Sequence, residues 1–179
     1  GTEVEFDCDT LLLSVGLIPE NELSEKVGIE KDKRTNGLIV SESMETSIPG
    51  IFACGNVVHV HDLVDFVTTE SKNAGYSAAK YLNGKLFRGK FINIVNGKNI
   101  TYTVPQKISI ESIEKNLTVF MRVNNVYHDK VIRVKCEDRL IASFKRGHLA
   151  PSEMEKIIIS KKLIEGLEGD IVISLEEVE

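Results

Sequence analysis

Hydrophobic and polar positions change period twice along this chain. Residues 8–15 (CDTLLLSV) form a short, nearly continuous apolar run. Such a run suits a strand buried on both faces; a helix can share the pattern, and the short length favours strand. Residues 37–41 (GLIVS) and 51–55 (IFACG) are two further short strand candidates. The period then becomes helical over residues 63–82, where Val67, Ser71, Ala74, Ala78 and Leu82 recur at spacings of 4, 3, 4 and 4. Asp62 or Asp65 is placed to cap the start of this helix and Gly84 to end it. Its inner face is built of small residues, which lets a backbone or a cofactor come close. Gly75 inside the helix costs about 1 kcal/mol relative to Ala.

Beyond residue 88 the pattern becomes β-rich. Residues 91–95 (FINIV) and 100–104 (ITYTV) flank Asn96-Gly97, a hairpin signal because both turn residues tolerate positive φ. Residues 117–123, 130–135, 140–145, 155–159 and 171–175 add short runs with partial alternation, and residues 148–154 read as the turn before a late strand. Seven strands in about 90 residues predict a small antiparallel sandwich of immunoglobulin-like topology. Two glycines with polar neighbours in residues 83–89 (NGKLFRG) mark a helix stop and linker. The predicted domains are therefore 1–87 and 88–179.

Charge follows the same division. The first 87 residues hold 7 Lys+Arg against 14 Asp+Glu, whereas the remainder holds 15 against 13, within a total net charge of -5. The second half carries no concentrated basic stripe, so nucleic-acid binding is disfavoured. With 42% apolar residues and 27% charged, the chain reads as an ordinary soluble globular protein. No apolar run approaches the roughly 18 to 20 residues of a membrane-spanning helix, and a signal-peptide pattern is absent, so the default expectation is a cytoplasmic protein without membrane contact. Cys8, Cys54 and Cys136 are far apart with no C-x-x-C, and read as reduced, buried thiols. His59 and His61 form H-x-H near Asp62 and Asp65. In an extended segment both rings point to one side, but two ligands and an adjacent carboxylate are an incomplete set, and no metal is assigned.

The order of the elements carries a resemblance. Asp9-Thr10, residues 14–21 (SVGLIPEN), 27–29 (VGI), 37–40 (GLIV), 46–56 (TSIPGIFACGN) and the small-residue helix, taken in sequence, resemble the closing portion of a two-dinucleotide-fold flavoprotein. The family is that of the FAD-dependent pyridine nucleotide-disulfide oxidoreductases, to which thioredoxin reductases and NADH oxidases belong. The resemblance spans about residues 5–85, and within that span the ordered series is the specific signal. It implies that the first half is an α/β remnant of a FAD-binding Rossmann-like domain, completed after an inserted NAD(P) fold, with NAD(P)H as cosubstrate. A complete member carries Gly-rich fingerprints, and this chain has no G-x-G-x-x-G. The expectation is a C-terminal fragment, inactive alone, that does not retain FAD and self-associates through strand edges left unpaired in residues 1–87.

Site residues follow from the same resemblance. The family usually places Gly-Asp after the 51–55 strand, the Asp bonding the FAD ribityl chain; here Gly55 is kept and Asn56 replaces Asp, retaining donor and acceptor but losing a charge. Asp65, Phe66 and Val67 fall where a helix N-terminus meets the flavin ring edge. The His59/His61 pair is then a solvated loop or a segment over the flavin, and Cys54 an inert core thiol. No residue receives a catalytic role. Two function classes remain: part of a flavin enzyme moving hydride from NAD(P)H to an unknown acceptor, with the β domain docking a partner protein or shaping access, or a non-enzymatic protein-interaction module on a Rossmann-like remnant.

Overall fold

A computed structural model describes residues 1–13, 16–86 and 89–178. Helix α1 (Glu22–Lys26) and a 3₁₀ turn at Gly55–Val57 precede the long helix α2 (Val64–Leu82). Eight strands follow: β1 (Ile92–Asn96), β2 (Ile100–Val104), β3 (Lys107–Ile108), β4 (Asn116–Val123), β5 (Tyr127–Cys136), β6 (Arg139–Leu149), β7 (Glu155–Ser160) and β8 (Ile171–Glu177), with the short helix α3 (Lys161–Ile164) between the last two. All seven sequence-predicted strands of the second half form, and residues 150–153 turn between β6 and β7 as expected.

Their pairing departs from the prediction. One sheet has the order β3-β1-β8-β5-β6 and the other β2-β4-β7. The pair β1/β8 is parallel, so the arrangement is mixed rather than purely antiparallel, and it is not the strand order expected of an immunoglobulin-like sandwich. The cause lies at Asn96-Gly97. Instead of closing a hairpin, this segment is captured by β8: Gly97 N–H donates to the Ile173 carbonyl at 2.8 Å and Leu175 N–H to the Lys98 carbonyl at 2.9 Å. A Cβ at residue 97 would sit 2.8 Å from the Ile173 carbonyl oxygen, so the glycine serves close approach of backbones. β1 and β2 consequently leave in different sheets.

Strand β4 shows how the layers are stacked. Leu117, Val119, Met121 and Val123 alternate into a core shared with Ile132, Val134, Ile157, Ile159, Ile171 and Ile173 of the other strands. The intervening residues Phe120 and Arg122 point the opposite way, toward the first half of the chain. A bulge between Ile100 and Tyr102 turns β2 in the same manner, since Ile100 belongs to the inter-sheet core while Tyr102 and Val104 pack with Ile29, Leu38, Val40, Val58 and Ala74. The three-stranded sheet thus has an apolar inner face against the larger sheet and an outer face that completes the core of the first half.

The first half is less regular than predicted. Residues 8–13 form no strand and are exposed, with Leu12 at 91%, while Ser14 and Val15, the end of the predicted run, lie outside the described residues. Residues 37–41 and 51–55 contribute only the isolated bridges Lys31↔Leu38 and Glu45↔Phe52. A strand is held by the hydrogen bonds of its neighbours, and among the described residues these segments have no ladder to join. Cys8, expected to be buried, is exposed for the same reason, while Cys54 is half-buried and Cys136 buried. The boundary residues Phe87 and Arg88 also lie outside the described residues. Helix α2 forms as predicted and ends as predicted: Gly84 N–H donates to Tyr81 and Lys85 N–H to Lys80, the paired bonds of a Schellman stop. Its buried face is displaced from the predicted one. Glu70, Ala74 and Ser77 are buried, whereas Leu82 is 83% exposed. No described helix is long and apolar enough to cross a membrane.

Candidate functional site

The chain leaves Cys54 in an extended conformation and enters the 3₁₀ turn at Gly55, whose φ of 73° places it in the left-handed region. A Cβ here would touch nothing closer than a Val67 methyl at 3.6 Å, so glycine is required by conformation and not by space. Gly55 N–H donates to Glu70 Oε1 at 2.6 Å, which ties the turn to the middle of α2. Asn56 is exposed, and its Oδ1 accepts the backbone N–H of His61 at 3.3 Å.

Neither predicted cap holds the start of α2. Leu63 occupies the cap position with no side-chain bond, and its carbonyl accepts the N–H groups of Phe66 at 3.1 Å and Val67 at 3.4 Å. Of the predicted ring-edge residues, Asp65 is exposed, the half-buried Phe66 packs on Phe120 with ring centroids 5.3 Å apart, and Val67 faces Gly55. Residues 55–56 and 65–67 are therefore brought to one corner, with a Val67 methyl beside the Gly55 turn. Asp62 is drawn away by the β domain: its carboxylate pairs with Arg122 and accepts Met154 N–H at 2.6 Å. Arg122 also donates to Tyr102 Oη at 3.0 Å, the Val60 carbonyl at 3.1 Å and the Pro151 carbonyl at 3.0 Å.

His59 and His61 are not in a solvated loop. Both are buried, their rings stacked edge-on with centroids 4.2 Å apart, between α2 and the rings of Tyr102 and Phe120. Both rings turn inward against Tyr102 and Phe120 on the outer face of β2 and β4. The carboxylate they meet is Glu70, 2.9 Å from His59 Nε2, and not the neighbouring Asp62 or Asp65. Burial works to raise the Glu70 carboxyl, but the adjoining His59 and His61 imidazoles and the Gly55 N–H outweigh it and bring the pKa down to about 2. Burial pushes the His59 imidazole below its ordinary value. The pair at neutral pH is an ionised carboxylate accepting from a neutral ring.

Glu70 is the residue that sequence reasoning missed. It lies four residues before Ala74 and three after Val67 on the small-residue face, and a carboxylate inside a predicted buried stripe demands a partner. That position was the available signal.

A family model described as pyridine nucleotide-disulphide oxidoreductase matches residues 1–71. Among curated relatives, an NADH oxidase of Methanocaldococcus jannaschii is 35% identical over 95 residues, 53% of this chain and 18% of that protein. The family-model match is confined to residues 1–71 of the 179. A dihydrolipoyl dehydrogenase of Vibrio cholerae is 33% identical over 112 residues, 60% of this chain and 21% of its own. A leghemoglobin reductase of Glycine max is 25% identical over 119 residues, covering 65% of this chain and 21% of that one. The chain thus spans about a fifth of the length of these relatives. No solved structure matches it.

Proposed function

We propose that this chain is the returning part of a FAD-binding fold, together with a C-terminal β domain, in a flavoprotein oxidoreductase that passes reducing equivalents from NAD(P)H through FAD to an acceptor. The observation that carries this reading is the corner at residues 55–67. There a left-handed glycine turn presents an exposed Asn56 amide, and the N–H groups of Val64 and Asp65 open the first turn of a 19-residue helix. An amide and a helix N-terminus fit a ribityl hydroxyl and the electron-rich edge of a flavin. Gly55 and Asn56 would hold the ribityl chain, and Asp65, Phe66 and Val67 would border the ring. FAD, when bound, supplies hydride acceptance and onward electron transfer. The residues of this chain supply orientation, and the β domain supplies the wall behind them, through Phe120 against Phe66.

A second feature supports the same reading. Val4, Phe6, Leu11, Leu12, Leu13, Leu17 and Ile18 are each more than 60% exposed, an apolar load that further protein would cover. The test is flavin absorbance per protein after dialysis. The 179-residue chain alone is expected to be colourless, because a few hydrogen bonds at about 0.5 to 1.5 kcal/mol each do not offset an association cost of about 4 kcal/mol or more. In a protein that also carries the Gly-rich folds, Asn56→Leu is expected to weaken FAD retention, since a flavin hydroxyl loses its partner. Unchanged retention in that variant would remove Asn56 from the site, and stoichiometric FAD on the isolated chain would defeat the argument for missing contacts.

A further inference from the structure

Two imidazoles and a carboxylate share a buried space between the 55–61 turn, helix α2 and the outer face of β2 and β4. The side chains of His59, His61 and Glu70 are 0%, 1% and 2% exposed. Glu70 Oε2 lies 2.9 Å from His59 Nε2 and 3.3 Å from His61 Nε2, and only the first contact has hydrogen-bond geometry. His61 Nε2, His61 Nδ1 and His59 Nδ1 are buried without a partner. Each such atom has given up its bond to water for nothing in return, and an unsatisfied buried polar atom calls for an explanation such as an ion. Packing against Phe120 and Tyr102 does not supply one, because an apolar ring would pack there without the cost.

We propose that His59, His61 and Glu70 bind a divalent transition-metal ion, with Zn²⁺ as its first representative. Their donor atoms lie within 4.8 Å of one another. An ion about 2.0–2.2 Å from each nitrogen and oxygen holds neighbouring donors about 3 Å apart, and the two separations from Glu70 Oε2 already have that size. Imidazole and carboxylate together suit Zn²⁺, Fe²⁺ or Co²⁺ better than Ca²⁺ or Mg²⁺. Gly55 N–H holds Oε1 and leaves Oε2 facing the rings, a backbone donor that orients the ligating carboxylate. Glu70 and Phe120 also line a neighbouring cavity of about 420 Å³, which does not reach His59 or His61. Asp62 is not a ligand, because Arg122 and Met154 N–H occupy its oxygens. Neither Nδ1 has a carbonyl behind it, so affinity is expected about 10- to 100-fold below that of a site with such support. The ion would pin the turn carrying Gly55 and Asn56 to α2, a role that does not depend on the flavin reading.

The test is calorimetric titration of the chelator-treated chain with Zn²⁺, paired with visible spectra on Co²⁺ addition and thermal unfolding with and without metal. The exposed cross-strand pair His128 and His148, with ring centroids 5.1 Å apart, is a competing place for an ion, so His128→Ala/His148→Ala serves as control. One equivalent per chain is expected in the wild type and in that control, with a raised unfolding midpoint in both. His61→Ala and Glu70→Gln are expected to weaken binding more than about 100-fold, beyond the loss seen for supporting residues. Absence of saturable binding to the folded wild type overturns the proposal, whatever the variants do. Binding that survives His59→Ala/His61→Ala and disappears in the His128/His148 control overturns it equally.

Discussion

Glu42 shows how a single carboxylate is placed at odds with its surroundings. Its oxygens accept Ser109 N–H at 2.9 Å and the Ser112 hydroxyl, yet burial dominates and raises its pKa above the ordinary value of 4.5. A raised folded-state pKa means that this group's contribution is fully present below pH 4.5 and is lost as pH rises through the folded value. Ionised Glu42 therefore weakens the fold at neutral pH. Glu42→Gln keeps one acceptor oxygen for Ser109 and removes the charge, so the variant is expected to be more stable than the wild type at pH 7 and to lose that advantage toward pH 4. Urea midpoints measured across this range decide it; a gap that does not change with pH would mean that Glu42 is adequately solvated. Asn56 lies at the other extreme. Exposed, with one backbone bond to His61, it contributes little to folding.

At the scale of elements, local pattern and local outcome agree where neighbours in sequence supply the hydrogen bonds. Helix α2 was legible because its bonds are internal, and its stop at Gly84 is local chemistry. Gly75 inside it is exposed, and a Cβ there would meet nothing within 4 Å. Gly75→Ala should therefore stabilise the chain by about 0.5–1 kcal/mol through helix propensity alone, read as a higher denaturant midpoint at unchanged slope. A loss instead would mean that something packs against that face in solution. The strands of the second half were legible as elements because alternation is local, but their pairing was not. Asn96-Gly97 carries every local mark of a hairpin, and β8, more than seventy residues later, competes successfully for its backbone. The candidate site divides in the same way. Gly55 and Asn56 were singled out only through a resemblance in an ordered series of motifs, whereas the burial of His59 and His61 depends on Phe120 and Tyr102, which pattern alone does not bring near. Residues 8–13 show the converse, an apolar run that has no ladder to enter among the described residues.

Across the whole molecule the two halves are unequal in self-sufficiency. The inter-sheet core draws every member from residue 92 onward, whereas the core of the first half borrows Tyr102 and Val104 from β2. A chain of residues 89–179 is therefore expected to fold cooperatively with a β-type circular dichroism spectrum, and residues 1–86 alone to remain largely unfolded; a disordered spectrum for the former would refute an independent second domain.

Arg122 is one of the polar links between the halves. Its side chain is 12% exposed and joins β4 to Asp62, the Val60 carbonyl, Tyr102 and the Pro151 carbonyl. Removing it strands a half-buried Asp62 carboxylate and two carbonyls, and breaking such a pair costs about 3–5 kcal/mol when fully buried. With Asp62 31% exposed, solvent screening brings the expected loss for Arg122→Ala down to about 2 kcal/mol. Arg122→Lys keeps one charge contact but not the fork that serves four acceptors, so it should recover less than half of that loss. Because the bonds to Asp62 and the Val60 carbonyl lie between the halves, the variant should loosen the first half before the second. In hydrogen exchange, amides of residues 58–70 are expected to lose protection in Arg122→Ala while those of β5 and β8 keep theirs. Uniform loss across both halves would mean that the two unfold as one unit, and that Arg122 supports the whole fold and not the seam alone.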